Sequence, residues 1–286
     1  MNPYLHFVSE FDRVYQEGKD LPLGHLPPPS AAHAASGDQT ALIFSPHPDD
    51  ECIVGGLPLR LQREGRLRVV NVAVTQGSNK ARQTERWEEL TGACAWLSFG
   101  LEATGPSGLE KVNLHTRAQA PGVWGASVKT LSGLLAKYQP AVIFFPHEAD
   151  ANSTHVGTHH LVMDALKTMP PEFHCHAVET EFWGQMSHPN LMVESSLNDV
   201  ADLLAALSCH AGELSRNPYH LRLPAWLQDN VRRGAELVGG QGGAAPDYLF
   251  ATLYRVREWR QNGLQETWPR GRSIGQQESI ASLFGA

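Results

Sequence analysis

Residues 40–44 form a short, almost unbroken apolar run that feeds directly into Ser45-Pro46-His47-Pro48-Asp49-Asp50-Glu51. An apolar run of this length bounded by polar residues predicts a buried β-strand. The imidazole and carboxylates that follow then fall where strand gives way to loop, the place at which open α/β sheets bind their ligands. His47 and Asp50 are three positions apart, a natural spacing for two ligands of one metal ion. Asp49 lies between them, free to work on a bound water. The competing reading is a loop that merely caps the next helix, since aspartate is a good N-cap; Glu51 and Gly55-Gly56 in register favour the metal.

The rest of the chain repeats the strand–helix alternation. Helices are predicted over residues 5–15, 55–62, 81–97, 127–138, 155–169 and 197–210, and strands over 67–75, 140–146, 176–183 and 249–256. This pattern implies an α/β fold, a Rossmann-like, mainly parallel sheet with helices on both faces and a metal site at the C-terminal ends of the strands. Residues 1–38 read as an N-terminal helix and a Pro/Ala-rich arm, 39–258 as the main domain and 259–286 as a C-terminal tail. Within the main domain, 98–125 read as irregular and 210–246 as a cap or loop over the site.

Composition narrows the function classes. A net charge of −7 and the absence of a Lys/Arg run argue against a nucleic-acid partner. No stretch approaches the ~18 apolar residues of a membrane span, and the N-terminus lacks the basic start and apolar core of a secretory signal. Four scattered cysteines form no C-x-x-C pair and no disulfide framework, which fits a cytoplasmic location. Fourteen histidines is a high count, and they crowd between positions 147 and 188.

That crowding supplies a second cluster: His147-Glu148-Ala149-Asp150 follows the 140–146 strand and runs into Asn152-Ser153-Thr154-His155. In a parallel sheet both strand ends open onto one edge. His47, Asp50 and a histidine of the second cluster would then meet around one ion, and two imidazoles, one carboxylate and an open position make a catalytic zinc arrangement. A free carboxylate beside it suits a general base.

At this point the sequence resembles the PIG-L/LmbE-like family of zinc-dependent N-deacetylases. Pro46-His47-Pro48-Asp49-Asp50-Glu51 with Gly55-Gly56 is similar to its opening motif, Thr75-Gln76-Gly77 to its T-x-G, and Arg86-Trp87-Glu88-Glu89-Leu90 to its R-x-x-E-L helix. Ala205-Ala206-Leu207-Ser208-Cys209-His210 resembles its late A-L-x-x-H. The resemblance implies one Zn²⁺ held by His47, Asp50 and His155, with Asp49 as general base and Arg86 facing the substrate. It also implies a small-molecule substrate, an N-acetylated amino sugar such as an N-acetylglucosamine derivative or a glycoconjugate, and, since family members often assemble, a homo-oligomer. The family's H-P-D-H is Asn152-Ser153-Thr154-His155 here, with asparagine in place of the first histidine and threonine in place of the aspartate. Asn152 retains a hydrogen-bond donor for an oxyanion but cannot deliver a proton, leaving protonated Asp49, His147 or His159 to release the amine.

The remaining features carry rival readings. His159, one turn past His155, is either catalytic or a supporting histidine, and His160 reads as structural. His147 and His210 are candidates for substrate contact, weighed against packing and capping roles. The segment Gly239-Gly240-Gln241-Gly242-Gly243-Ala244 is a poor dinucleotide signal because no strand clearly precedes it and Pro246 follows. Trp124, Trp183 and Trp226 lie in or beside loops, suited either to stacking on a sugar or to packing. Two other functions share the motif: a metal-binding pseudoenzyme that binds sugar without turnover, and a metallophosphoesterase, which needs two metals and more carboxylates.

Overall fold

The structure, a computed structural model, describes residues 2–27, 37–280 and 283–284. Strands β1 (Thr40–Ser45), β2 (Arg68–Ala73), β3 (Gly100–Ala103), β4 (Val142–Pro146), β5 (Cys175–Thr180), β6 (Leu191–Glu194), β7 (Ala251–Arg260), β8 (Gly263–Glu266) and β9 (Arg272–Ile274) share one sheet. Its order is β3-β2-β1-β4-β5-β7-β6-β9, with β8 hydrogen-bonded to β7. The pairings from β3 to β5 are parallel; β7 runs antiparallel to β5, β6 and β8, and β9 is parallel to β6. Around it lie α1 (Leu5–Gly18), α2 (Asp50–Ile53), α3 (Gly56–Arg63), α4 (Gln83–Leu97), α5 (Leu114–Gln119), α6 (Pro121–Tyr138), α7 (Ser153–Leu166), α8 (Leu197–Ser208), α9 (Ala211–Arg216) and α10 (Leu223–Leu237).

The uninterrupted apolar runs have a direct cause. Successive side chains on a strand point to opposite faces, and here both faces are covered. Ala41 and Ile43 of β1 join one core with Leu57, Leu90 and Leu203, while Leu42 and Phe44 join the other with Leu131 and Leu161. In β4, Val142 and Phe144 divide from Ile143 and Phe145 in the same way. A strand buried on both sides has no polar face to betray its period. The expected mainly parallel α/β sheet is therefore the one found. Because β1 pairs with β2 on one side and β4 on the other, chain order reverses at β1, and a crevice opens past the ends of β1 and β4.

Several boundaries differ from the sequence reading. The stretch 98–125 is not irregular: it holds β3, α5 and the start of α6. Asn113 caps α5 by accepting from Thr116 N at 2.9 Å, and Pro121 opens α6 at a position where its missing N–H costs nothing. Residues 210–246 also contain regular structure, α9, the 3₁₀ turn Tyr219–Arg222 and α10. Charges spread through α10 mask its apolar stripe, Leu227 and Val231, which it buries on the body of the protein. Residues 259–286, read as a tail, finish β7 and contribute β8 and β9. The β7–β8 hairpin turns on Gln261 and Asn262, both with positive φ (52° and 60°). Residues 28–36 of the expected Pro/Ala-rich arm lie outside the described residues. Helix α1 keeps Phe7, Val8, Phe11 and Val14 exposed. Among the described residues no helix is long and apolar enough to cross a membrane.

Helix α7 is fastened by Asp164, whose carboxylate accepts from Arg117 Nε at 2.8 Å and Trp124 Nε1 at 3.0 Å. Burial opposes its ionisation, but Arg117, Trp124 and Lys167 outweigh burial and hold the carboxyl at about 2, below its ordinary 3.8. A carboxyl depressed by folding adds stability above its unfolded pKa and loses it as pH falls through the folded one. Asp164→Asn is expected to cost about 1–2 kcal/mol near neutral pH, after discounting for solvent screening. In urea titrations the gap from the unsubstituted chain should close as pH falls from about 4 to about 2; a gap that stays constant would show that Asp164 contributes by packing alone.

Candidate functional site

The loop that leaves β1 is held from several sides. Thr75 Oγ1 donates to Pro46 O at 2.7 Å, and Arg86 Nη2 donates to Pro48 O at 2.7 Å. Gly77, at φ 81°, makes room for that arginine: a Cβ there would lie 2.5 Å from Arg86 Nη1. Gly55, at φ 87°, and Gly56 pass so close to Thr252 and Ser195 that neither position accommodates a side chain. Between these fastenings Asp49 adopts φ 115°, a left-handed conformation that costs a non-glycine residue about 1–3 kcal/mol. It is retained because its N–H donates to Glu51 Oε2 at 3.0 Å while Tyr219 OH donates to its Oδ2 at 2.7 Å.

Three of the residues singled out in the sequence converge. His47 Nδ1 lies 3.1 Å from His155 Nε2, and Asp50 Oδ2 lies 3.5 Å from the first and 3.3 Å from the second. Asp50 Oδ2 also accepts from His47 N at 2.8 Å, but Asp50 Oδ1 is buried with no partner. Behind His155, Asp150 Oδ1 stands 3.6 Å from Nδ1, on the side where a carboxylate orients a ligating imidazole. Two ring nitrogens turned toward each other beside the Asp50 carboxylate form a donor set that suits a divalent cation such as zinc. Burial disfavours charge on His155, but Asp50 and Asp150 outweigh burial and push it up to about 10. Burial likewise opposes ionisation of Asp50, and the two histidines overcome it, lowering its carboxyl well below the usual range.

Asp49 is opposite in character. Burial and the neighbouring Asp50 push its carboxyl up to about 7, against the pull of His210, Arg86 and Tyr219. Arg86 Nη2 is 3.9 Å from Asp49 Oδ2. An open cleft of about 840 Å³ is lined by His47, Asp49, Arg86, Asn152 and Trp183 among others. Asn152 caps α7, its Oδ1 accepting from Thr154 N at 2.8 Å, so its acceptor is used and its amide donor is left for a ligand.

The other three histidines are placed elsewhere. His159 Nδ1 is 3.0 Å from Pro146 O, its ring rests against Phe145, and burial lowers its pKa to about 4. His147 accepts from Ala149 N and lies 2.9 Å from Gly184 O, so both ring nitrogens serve the backbone. His210, fully buried, meets Glu51 Oε1 at 2.7 Å. Neither His159, His147 nor His210 lines the cleft. Sequence reasoning did not place Glu51 or Tyr219 against Asp49, nor Asp150 behind His155. Asp150 was legible as the carboxylate five positions before His155, but Tyr219 had no local signal, since 170 residues separate it from Asp49.

The fold and cleft define a Rossmann-like protein whose polar donor set sits at the switch point of a parallel sheet. Residues 42–166 match the family model described as PIG-L: GlcNAc-PI de-N-acetylase. No curated protein matches the sequence. The fold is similar to that of the conserved protein TT1542 from Thermus thermophilus, with TM-score 0.59 and 19% identity over 76% of this chain and 94% of that one. It is also similar to GalB, the 4-carboxy-2-hydroxymuconate hydratase from Pseudomonas putida KT2440, with TM-score 0.55 and 17% identity over 82% and 99%. A third likeness is to N,N'-diacetylchitobiose deacetylase from Pyrococcus horikoshii, with TM-score 0.54 and 15% identity over 87% and 92%.

His210→Ala strands the Glu51 carboxylate in the interior and is expected to cost about 3–5 kcal/mol, read as a fall in the urea midpoint. Combining it with Glu51→Gln should recover part of that loss, because no lone buried charge remains. Strict additivity of the two substitutions would show that the pair is not energetically coupled.

Proposed function

We propose that this protein is a zinc-dependent N-deacetylase that removes an acetyl group from an N-acetylated amino sugar or glycoconjugate. The observation that carries the reading is the position of Asp49, a carboxyl held near neutrality beside the His47–Asp50–His155 donor set within one cleft. The PIG-L match, whose span contains all four residues, supports the reaction class. Fold alone does not select it, since one protein of similar fold is a hydratase.

His47, Asp50 and His155 would hold the ion, with Asp150 orienting His155. Bound there, a divalent metal supplies Lewis-acid polarisation of the amide carbonyl and acidifies water. Asp49 accepts the proton of the attacking water. Tyr219 occupies its Oδ2 and leaves Oδ1 as the basic oxygen. A base with a pKa near the working pH combines a useful ionised fraction with real basicity. The Asn152 amide donates to the developing oxyanion, and Asp49 returns its proton to the departing amine, a step that asparagine cannot perform. Arg86 fixes the Pro48 carbonyl and presents a cation at the cleft wall. The phosphoesterase alternative is weakened by Asp150: its oxygens already accept from Asn152 N, Trp183 N and Gly184 N, which leaves little for a second metal.

The test is release of acetate and free amine, in equal amounts, from a panel of N-acetylglucosaminides. Chelation should abolish release and zinc restore it. Asp49→Asn should lower turnover by roughly 10²–10⁴-fold while the protein still binds one zinc, and His155→Ala should lose the zinc. Release that persists under chelation, or an Asp49→Asn variant as active as the parent, would overturn the proposal. A zinc-loaded protein silent across the panel would favour a pocket that binds without turnover.

A further inference from the structure

Of the seven tryptophans, Trp183 alone is exposed, at 47%, and it lines the same cleft as Asp49, His47 and Asn152. Trp124 is buried and Trp226 packs against a core cluster, so neither is available to a ligand. The backbone beneath this exposed indole is held by hydrogen bonds. Trp183 N and Gly184 N donate to Asp150 Oδ2 at 3.1 and 3.2 Å, and Gly184 O is 2.9 Å from His147 Nε2. Gly184 also packs where a Cβ would come within 2.8 Å of Asp150 Cα. On the other side Phe182, buried, meets His155 edge-on with ring centroids 5.0 Å apart. The backbone that carries the indole is therefore tied, through Asp150 and Phe182, to the surroundings of His155, and the indole itself meets Tyr219.

We propose that Trp183 is a substrate-binding residue, the flat plate on which the pyranose ring of the acetamido sugar stacks. The choice of an acetamido sugar rests on the deacetylase reading; the plate itself rests on the geometry. A pyranose has an apolar C–H face and a rim of hydroxyls, and the cleft has that character in negative. Besides the indole, Leu109 and Val112, the lining is largely polar, with the amide and hydroxyl side chains of Asn152, Asn217 and Thr154 and the charge of Arg86 among it. Such a lining fits a ligand that is polar except on one face. Tyr219 stands edge-on to the indole, centroids 5.2 Å apart at 77°, and its hydroxyl reaches Asp49. Tyr219 thus touches both the plate and the base, so a sugar stacked on the indole lies in the same cleft as Asp49. Asp150 faces His155 Nδ1 at 3.6 Å with one oxygen and accepts from the backbone of Trp183 and Gly184 with the other, so the cation donors and the plate share a neighbour.

The test is binding of methyl N-acetyl-β-glucosaminide to the whole, zinc-loaded chain carrying Asp49→Asn, which removes turnover from the measurement. Adding Trp183→Ala should weaken binding about tenfold, and Trp183→Phe should restore most of it, as loss and recovery of a stacking surface require. In the otherwise unsubstituted enzyme Trp183→Ala should raise KM with little change in kcat. Because the side chain is exposed, its thermal unfolding should be nearly unchanged. Equal binding with and without Trp183, or no binding of the sugar to the parent, would overturn the plate. Trp183-dependent binding without acetate release from the active parent would keep the plate and remove the deacetylase reading, while turnover indifferent to Trp183 would do the reverse.

Discussion

The Glu51 carboxylate is fully buried and divided between two tasks. Oε1 meets His210 and accepts from Cys52 Sγ, while Oε2 accepts the N–H of Asp49. Burial disfavours the charged form of His210, yet Glu51, with Asp49 and Glu89, raises its pKa. A charge pair in so dry a setting contributes little net stability. What it gives here is direction: an acceptor at a fixed point, strong because water is excluded, that keeps the Asp49 backbone in a conformation it would otherwise leave. His210 thus acts on the loop after β1 through one intermediary and from outside the cleft.

Asp150 plays the corresponding part on the opposite strand end. Its carboxylate gathers backbone donors from positions 152, 183 and 184 and faces His155 Nδ1. Two carboxylates outside the donor set, one after β1 and one after β4, thus fix two loops that are far apart in sequence. The parallel register of β1 and β4 brings those loops together, and the side-chain acceptors give them their internal geometry.

This division explains what the sequence made legible. The β1 and β4 strands were readable because burial on both faces leaves uninterrupted apolar runs, and His47, Asp50 and His155 because each lies shortly past one of those strands. Helix α10 was not readable, since its charged residues dilute the apolar stripe, nor was β3, whose four residues open on Gly100 and are only half-buried. His159 and His147 looked functional from spacing alone. Only tertiary contacts reveal that Pro146 O and Gly184 O lie beside their ring nitrogens. The contact of Tyr219 with Asp49 could not be inferred: it exists only once the 3₁₀ turn after α9 folds back over the loop.

The left-handed backbone of Asp49 sets two selective pressures in opposition. Glycine would relax that conformation and relieve the strain, so selection for thermal robustness alone would move position 49 away from aspartate. Only a carboxylate provides an ionisable oxygen there, so selection for chemistry would hold it in place. The chain carries aspartate there, and Glu51, Tyr219 and the glycines that let the loop close hold it in that conformation. On the proposed reading, position 49 is therefore one at which a gain in durability and a loss of reactivity come from the same substitution.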